Sequence, residues 1–562
     1  MDGPYELASE LVGALPVVNH FSELLGLDEL LERYVPANDS RLALAPAKAL
    51  GVVVANLLIS HQPLYQLGEW AAPYRPDMLG LEPDEVCLLN DDRVGRALAL
   101  LFDADRASLL TEVVLRAVRR FRIDCSELHN DSTTVTFSGA TRASKATVRG
   151  GKATAAAKRG FNKDHRPDLR QLLLVLTVSS DGAVPVAYRA ADGNTEDSSA
   201  HTETWDGLVS LLGRKDFLYV ADCKLATRDV MLHIGGEGGR FVSVLPRTRK
   251  EDAWFRDWVT RNRPSWQEAT KVPARRKNDP PDVLSTFESP LPSAEGYRVI
   301  WVHSSAKQEN DALSRARRIE RATAALEDLA GRLAGPKCRI KTRVAAEEEA
   351  KAALEEHDAA RYFEIWVLEE VEKTYVAEHR GTPGPDTRFR QSTKPRFRLT
   401  WNARHHVVKA EAASDGCWPL VTNDTEMTPA EVLSAYKYQP NLERRNHVLK
   451  GPQAVAPVFL RNPARIEGLL CCHFLALLIG ALIERQIRDA MVRSKTKAIP
   501  LYPEDRDCAA PSAERVLEIF APVTRHHLVR NGRLVQTFEP TLTELQEEVL
   551  RLLGIHTAYY GG

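Results

Sequence analysis

The order of predicted strands and helices between residues 125 and 246 constrains the fold more than any other feature of this 562-residue chain. Residues 126–139 alternate in polarity as strands do, and residues 171–194 predict a hairpin that turns at Asp181-Gly182. Next come a helical period over 199–213 and an apolar run over 217–222. A second helical period over 225–234 and another apolar run over 240–246 follow them. The pattern predicts three strands, a helix, a strand, a helix and a strand.

This order predicts an α/β protein with a ribonuclease H-like mixed sheet as its core, in which the first and fourth strands lie side by side. Asp131 lies on the first of these strands and Asp222 directly after the fourth. We therefore expect the two carboxylates to be neighbours at the edge of the sheet. The alternative interpretation of Asp222 is a helix N-cap, because a helical run follows it almost at once.

The remaining predicted elements surround this core. Residues 1 to about 124 have helical periodicity, and residues 247–427 predict an α+β insertion with long helices over 307–335 and 344–360. Strands are predicted at 361–371, 397–403 and 405–412. We predict a helical N-terminal accessory or DNA-binding domain (1–124), the first part of the core (125–246), the insertion (247–427), the core helices with the third acid (428–495) and a C-terminal region (496–562).

Composition favours a protein of the cytoplasm without a membrane segment. The most apolar stretch, residues 468–483, is shorter than the roughly 20 residues of a bilayer span and predicts a buried helix. Eight cysteines form no CxxC pair, which is typical of reduced thiols, and the N-terminus has no pattern of an export signal.

Positive charge is concentrated in two runs, although the net charge of the chain is −1. One run lies between residues 142 and 170, the other between 380 and 404, and aromatic side chains are interleaved with both. Solvated loops are the ordinary explanation of a single basic run, whereas two runs around one candidate site favour a nucleic-acid backbone. Lys163 and Arg166 precede the second strand and suit phosphate contacts that position a duplex.

A third candidate acid lies on a helix near the C-terminal end of the core. Thr428 and Glu431 form a capping-box start, and Pro440 is expected to break the helix that follows. Glu443 and Lys450 then lie about two turns apart on one face. A metal-binding carboxylate with a phosphate-binding cation suits this spacing, and so does an ordinary exposed helix.

The residues around these acids resemble one large group of bacterial insertion-sequence transposases. That group has a tyrosine, two residues, arginine, three residues, glutamate, six residues and lysine, and here Tyr436, Gln439, Glu443 and Lys450 occupy those positions. Residues 128–135, 219–227 and 415–424 resemble its other motifs, in the same order. The chain therefore resembles a DDE transposase over residues 120–490, with a long insertion before the glutamate and a departure at Gln439.

The resemblance implies both a site and partners. Asp131, Asp222 and Glu443 are implied as the catalytic carboxylates and as the ligands of two Mg²⁺ ions, for which Mn²⁺ substitutes, with Asp131 bridging both ions. Tyr436, Gln439 and Lys450 are implied to contact DNA phosphate. The implied activity is cut-and-paste transposition on double-stranded DNA, at terminal inverted repeats and a target, by a homodimer in the synaptic complex.

Other functions compete with this one. A hydrolytic nuclease of the same fold would use the same acids, and a catalytically silent DNA-binding descendant would use none of them. An unrelated α/β enzyme is disfavoured because the chain has no GxGxxG, GxxxxGK[ST] or GxSxG motif.

Overall fold

A computed structural model of the chain describes residues 5–37, 43–137, 145–160, 166, 168–195, 197–274, 276, 279–335, 338–379, 381–451, 460–502 and 504–561. The chain forms two compact units. Unit 1 comprises Met1–Ser243 and Ser434–Gly562, and unit 2 comprises Val244–Leu433. The five segments proposed from the sequence stay a prediction.

Many of the helices begin at a residue whose side chain caps the first turn. Asn90, Asp105 and Asn462, for example, accept hydrogen bonds from backbone N–H groups of the helices that follow them. In chain order the helices are α1 (Leu15–Leu25), α2 (Leu27–Tyr34), α3 (Pro46–Ile59), α4 (Leu67–Ala71), α5 (Asp91–Asp103), α6 (Arg106–Phe121), α7 (Asp197–Leu212), α8 (Arg228–Gly236), α9 (Lys250–Arg261), α10 (Ser305–Ala334), α11 (Arg343–Glu356), α12 (His405–Ala412), α13 (Pro429–Lys437), α14 (Gln439–Lys450), α15 (Pro463–Ser494), α16 (Ala513–Glu518) and α17 (Glu544–Leu553).

The strands are concentrated in the middle of the chain. In chain order they are β1 (Tyr5–Leu11), β2 (Glu127–Phe137), β3 (Val148–Arg149), β4 (Lys152–Ala153), β5 (Arg170–Ser179), β6 (Pro185–Asp192), β7 (Leu218–Ala221), β8 (Arg240–Val244), β9 (Gln267–Val272), β10 (Asp282–Glu288), β11 (Arg298–Ser304), β12 (Phe363–Ala377), β13 (Phe389–Ala403), β14 (Cys417–Thr422), β15 (Thr524–Arg530) and β16 (Arg533–Phe538).

The sheet of unit 1 has the strand order that the sequence predicts. Its strands run β6–β5–β2–β7–β8. The β2–β5 and β5–β6 pairs are antiparallel, whereas β2–β7 and β7–β8 are parallel. The first and fourth predicted strands, β2 and β7, therefore lie side by side, and the protein is a mixed α/β protein.

Helix α15 is the central helix of unit 1. It is long and apolar enough to cross a membrane by length and composition, but 94% of its most apolar stretch is buried inside the protein. Ile466 and Leu470 pack with Leu172 of β5 and Leu449 of α14 in one hydrophobic cluster. The predicted buried helix is confirmed, although it is longer than the apolar run, and its packing holds α14 against the sheet.

The N-terminal segment begins with a strand rather than a helix. Strand β1 pairs antiparallel with β15, so that Tyr5 lies opposite Arg530, and β15 pairs with β16. Helices α1 to α6 then follow, and α3 and α5 contact α15. A separate helical N-terminal domain stays a prediction, because contact clustering groups these helices with the core in unit 1.

Unit 2 contains an antiparallel sheet with the order β14–β11–β10–β9 and a separate β12–β13 hairpin. Both predicted long helices are present as α10 and α11, which contact each other, and Leu326, Leu329 and Leu333 of α10 pack in the core of this unit. Leu313, on the same helix, is instead 48% exposed. The strand predicted at 405–412 was wrong, because residues His405–Ala412 form α12.

Candidate functional site

Asp131 and Asp222 lie at the same level of two neighbouring strands. Asn130 and Ala221 are partners in the parallel β2–β7 ladder. Asp131 follows Asn130 in the sequence, and Asp222 follows Ala221. Asp131 is half-buried within β2, whereas the side chain of Asp222, directly after β7, is 44% exposed. The predicted pairing of β2 with β7 is confirmed, and it places the backbone positions of the two acids at one level of the sheet.

Asp222 does not cap the helix that follows it. Helix α8 begins at Arg228, and its N-cap residue is Thr227. The Asp222 carboxylate instead accepts a hydrogen bond from the Lys224 backbone N–H over 3.0 Å, and Ser243 Oγ donates to the Asp222 carbonyl over 2.7 Å. Asp222 is thus fixed in a tight turn at the end of the strand, with its carboxylate partly open to solvent.

The third acid is supplied by α14, which packs over β2. As predicted, the helical segment is interrupted near Pro440: α13 ends at Lys437, α14 begins at Gln439, and Pro440 lies in its first turn. Glu443 follows one turn later and is exposed to solvent.

Tyr436 experiences the negative charge of all three acids. Burial, together with nearby negative charges that include Asp222, Glu443 and Asp131, raises the pKa of Tyr436 to about 12. Its hydroxyl therefore keeps its proton at neutral pH and remains a hydrogen-bond donor. Three carboxylates from β2, the end of β7 and α14 thus act on one partly buried phenol.

Asn446 is a member of the site that the sequence analysis missed. Its Nδ2 donates a hydrogen bond to Asp131 Oδ2 over 3.2 Å, and the residue is 8% exposed. It lies three positions after Glu443 and so projects from a similar side of α14. The described structure gives its buried Oδ1 no hydrogen-bond partner. No signal in a single sequence distinguishes this asparagine from its neighbours.

Arg445, also missed, anchors α14 in the protein. This 3% exposed side chain donates to the carbonyls of Gly182 and Ala183, each over 2.9 Å, and to Glu484 of α15 over 2.7 Å. The bonds tie α14 to the turn between β5 and β6 and to the central helix. They fix the helix that carries Glu443 relative to the strand that carries Asp131.

The donor set of this site suits a hard divalent cation. Asp131, Asp222 and Glu443 offer carboxylate oxygens, and Asn446 offers a buried amide oxygen without a partner. Mg²⁺ and Mn²⁺ prefer oxygen ligands of this kind. Among the residues that the structure describes, however, no group of three or more His, Cys, Asp and Glu side chains is close enough to hold a metal ion.

The predicted phosphate-binding residues have different surroundings. Gln439 is half-buried at the start of α14, and Lys450 is half-buried at its end. Arg166 is exposed and forms two hydrogen bonds with Asp168, over 2.9 and 2.8 Å. Lys163 lies outside the described residues.

Much of the positive charge in the first basic run is neutralised within the protein. Arg149 pairs with Asp103 over 2.7 Å and Lys158 pairs with Asp192 over 2.7 Å. Such exposed pairs are weak and exchange readily with other ions. The run therefore presents less free positive charge than its sequence indicates.

Comparison with known proteins gives limited matches. Residues 7–115 match the model of a domain of unknown function, DUF4277. No curated protein matches the chain. All eight cysteines are free in the structure.

Two solved structures are similar to parts of the chain. One is the cryo-EM structure of the piggyBac transposase synaptic complex with hairpin DNA, with a TM-score of 0.24 and 10% identity, covering 53% of this chain and 63% of that chain. The other is the Mos1 transposase paired-end complex with the left transposon end, with a TM-score of 0.14 and 11% identity, covering 36% of this chain and 60% of that chain. The chain thus spans about three fifths of each structure. Both TM-scores lie below 0.5.

Proposed function

We propose that this protein is a DNA transposase of the DDE type, with Asp131, Asp222 and Glu443 as its catalytic carboxylates. The observation that carries the proposal is that Asp131 and Asp222 lie at one level of the neighbouring strands β2 and β7, while α14, which carries Glu443, donates a hydrogen bond to Asp131 through Asn446. The charges of all three acids also contribute to the raised pKa of Tyr436. The acids come from sequence positions far apart, and each occupies a position of the transposase motifs that the sequence resembles.

The strand order supports the same proposal. The β6–β5–β2–β7–β8 order, with parallel pairs only on one side of β2, is that of a ribonuclease H-like core. Such a core presents the acids on β2 and after β7 at one edge of the sheet, where ligands of α/β proteins collect. Helix α14 then adds Glu443 from above β2.

We further propose that Asp131, Asp222 and Glu443 hold Mg²⁺, with Mn²⁺ as a substitute. When bound, two such ions supply an activated water or hydroxyl and neutralise charge on the scissile phosphate. Asn446 orients Asp131 through its hydrogen bond. The Tyr436 hydroxyl, protonated at neutral pH, is a donor for a phosphate oxygen of the bound strand.

The remaining assignments follow from this proposal. The DNA phosphates are contacted by Lys450, Gln439, Lys163 and Arg166. Arg166 exchanges its hydrogen bonds with Asp168 for the phosphate contact. The substrates are the terminal inverted repeats of an insertion sequence and a target duplex, joined in a cut-and-paste reaction by a homodimer in the cytoplasm.

A catalytically silent DNA-binding descendant is the second candidate. It is favoured by one observation, the lack of a group of three metal-ligating side chains among the described residues. The departure at Gln439 points the same way. This candidate and the transposase differ in whether the protein cuts DNA that it binds. A hydrolytic nuclease of the same fold would cut without joining strands.

Cleavage of the element's own ends tests the proposal. Duplexes that carry the DNA flanking the gene are incubated with Mg²⁺ or Mn²⁺, with Ca²⁺ as a non-cleaving control. The native protein is compared with Asp222→Asn and with Asp229→Asn, a matched control on the first turn of α8. We expect native and Asp229→Asn proteins to cut at the repeat boundary and Asp222→Asn to bind without cutting.

Other outcomes exclude the proposal. Equal cutting by all three proteins would remove Asp222 from catalysis. Binding without cutting in any metal would establish the silent descendant, and cutting without any joined product, given a target duplex, would establish the hydrolytic nuclease.

A further inference from the structure

A buried histidine faces the carboxylate of Asp222. His201 of α7 is 5% exposed, and its Nε2 lies 3.8 Å from Asp222 Oδ1. This oxygen is the one that accepts the Lys224 backbone N–H. The imidazole therefore approaches the Asp222 carboxylate from a buried position, whereas 44% of the Asp222 side chain is exposed.

The other nitrogen of the same ring contacts a buried tyrosine. His201 Nδ1 lies 3.1 Å from the Tyr219 hydroxyl, and Tyr219 is fully buried in β7, three residues before Asp222. Burial and the charge of Asp222 raise the pKa of Tyr219 well above its usual value. The phenol is therefore neutral, and its proton needs an acceptor, because an unpaired buried hydroxyl is costly.

The contact with Tyr219 decides which ring nitrogen of His201 can donate towards Asp222. Within the described residues, His201 Nδ1 is the partner of the Tyr219 hydroxyl. If the phenol donates to Nδ1, the neutral imidazole carries its proton on Nε2, which is the nitrogen that faces Asp222. Asp222 Oδ1, 3.8 Å from Nε2, lies on the side of the ring that this proton faces.

We propose that Tyr219 and His201 form a positioning pair that holds the Asp222 carboxylate in the orientation needed to bind a divalent cation. The inference rests on the proposed function, because it assigns Asp222 to a metal site. Partners behind a ligand fix its orientation, and their loss typically lowers metal affinity by about 10–100-fold. His201 itself neither binds the cation nor touches the DNA in this assignment.

Metal binding by the full-length protein without DNA tests the pair. Mn²⁺ affinity is measured from the loss of the free-ion electron paramagnetic resonance signal, and Asp222→Asn defines the binding that depends on Asp222. We expect His201→Leu to weaken this binding by about 10–100-fold. His201→Gln, which keeps an N–H donor, is expected to restore most of it.

Tyr219→Phe separates positioning from packing, because it removes only the hydroxyl. We expect it to weaken Mn²⁺ binding less than His201→Leu does. The double variant Tyr219→Phe/His201→Leu should bind Mn²⁺ no more weakly than His201→Leu alone, because residues that act in one chain of contacts are not additive. Thermal unfolding in EDTA checks that each variant folds. If His201→Leu does not fold, the Mn²⁺ affinities of His201→Gln and Tyr219→Phe test the positioning pair instead.

The failures of the two proposals are distinguishable. Suppose that Mn²⁺ binding depends on Asp222 but is unchanged in His201→Leu, or in Tyr219→Phe if His201→Leu is unfolded. This result would overturn the positioning pair and leave the proposed function standing. Additive losses in the double variant would overturn the link through Tyr219. Native protein without any Asp222-dependent Mn²⁺ binding would overturn both the pair and the proposed metal site.

Discussion

Asn446 donates a hydrogen bond to Asp131 over 3.2 Å, across a sequence separation of 315 residues. The bond joins α14 to β2 at the level where Asp222 follows β7. It uses the Nδ2 group of Asn446 and leaves the buried Oδ1 without a partner in the described structure. The helix that carries Glu443 therefore also orients the acid on the central strand.

Asn446→Ala is expected to lower DNA cleavage by about 10–100-fold, because Asp131 loses a partner that fixes its carboxylate. DNA binding in Ca²⁺ should be unchanged. Asn441→Ala, on the same helix but five positions earlier and so on a different side of it, is the control. Cleavage by Asn446→Ala at the native rate would show that the hydrogen bond does not position a catalytic acid.

Gln439→Arg restores the charge that the transposase signature has at this position. If position 439 lies near a DNA phosphate, the new cation releases one more counterion, so the slope of log K against log salt should steepen by about 0.9. Fluorescence anisotropy of a labelled terminal-repeat duplex over a range of KCl concentrations measures this slope. Gln536→Arg, on the exposed strand β16, controls for a general gain of positive charge, and equal slopes in both variants would contradict the predicted contact.

The sequence predicts the sheet of unit 1 because its signals are local. Each signal depends on residues that are close in the chain. Examples are the strand and helix periods, the hairpin at Asp181-Gly182 and the break at Pro440. The placement of Asp131 beside Asp222 then follows from strand order alone. Residues His405–Ala412 were mistaken for a strand because a short stretch with two valines satisfies either period.

The features of the fold and of the site that the sequence does not predict depend on contacts between residues far apart in the chain. Asn446, Arg445 and His201 look like ordinary polar residues of a helix until their partners are known. Strand β1 pairs with β15, more than 500 residues later, and its pairing has no local signal. Leu313 fits the apolar period of α10, but no element of the described structure covers it, and it is 48% exposed.

Leu326→Ala should destabilise unit 2 by about 2–5 kcal/mol, because Leu326 is fully buried in the core between α10, α11 and the β12–β13 hairpin. Leu313→Ala, on the same helix, should lower the free energy of unfolding much less than Leu326→Ala does, because Leu313 is 48% exposed. Urea unfolding followed by circular dichroism measures both. Similar losses in the two variants would contradict the packing of α10.

Arg445→Met should lower the free energy of unfolding by about 3–5 kcal/mol, because it leaves Glu484 buried with a lost partner. The Gly182 and Ala183 carbonyls also lose their donor. Arg444→Met, at the neighbouring exposed position, is the matched control and should have little effect. Urea unfolding measures each variant.

The double variant Arg445→Met/Glu484→Leu tests whether the lost stability of Arg445→Met comes from the buried charge of Glu484 or from lost packing. If the buried charge of Glu484 causes the loss, the double variant should be more stable than Arg445→Met, because an apolar pair replaces a buried ion that has lost its closest cation. The recovery should be partial, since Glu484 also accepts from the Ala513 backbone N–H and pairs with Arg488. A double variant that is less stable than Arg445→Met would instead mean that the remaining bonds of Glu484 outweigh its desolvation, so that the carboxylate mainly holds the start of α16 against α15 and not α14.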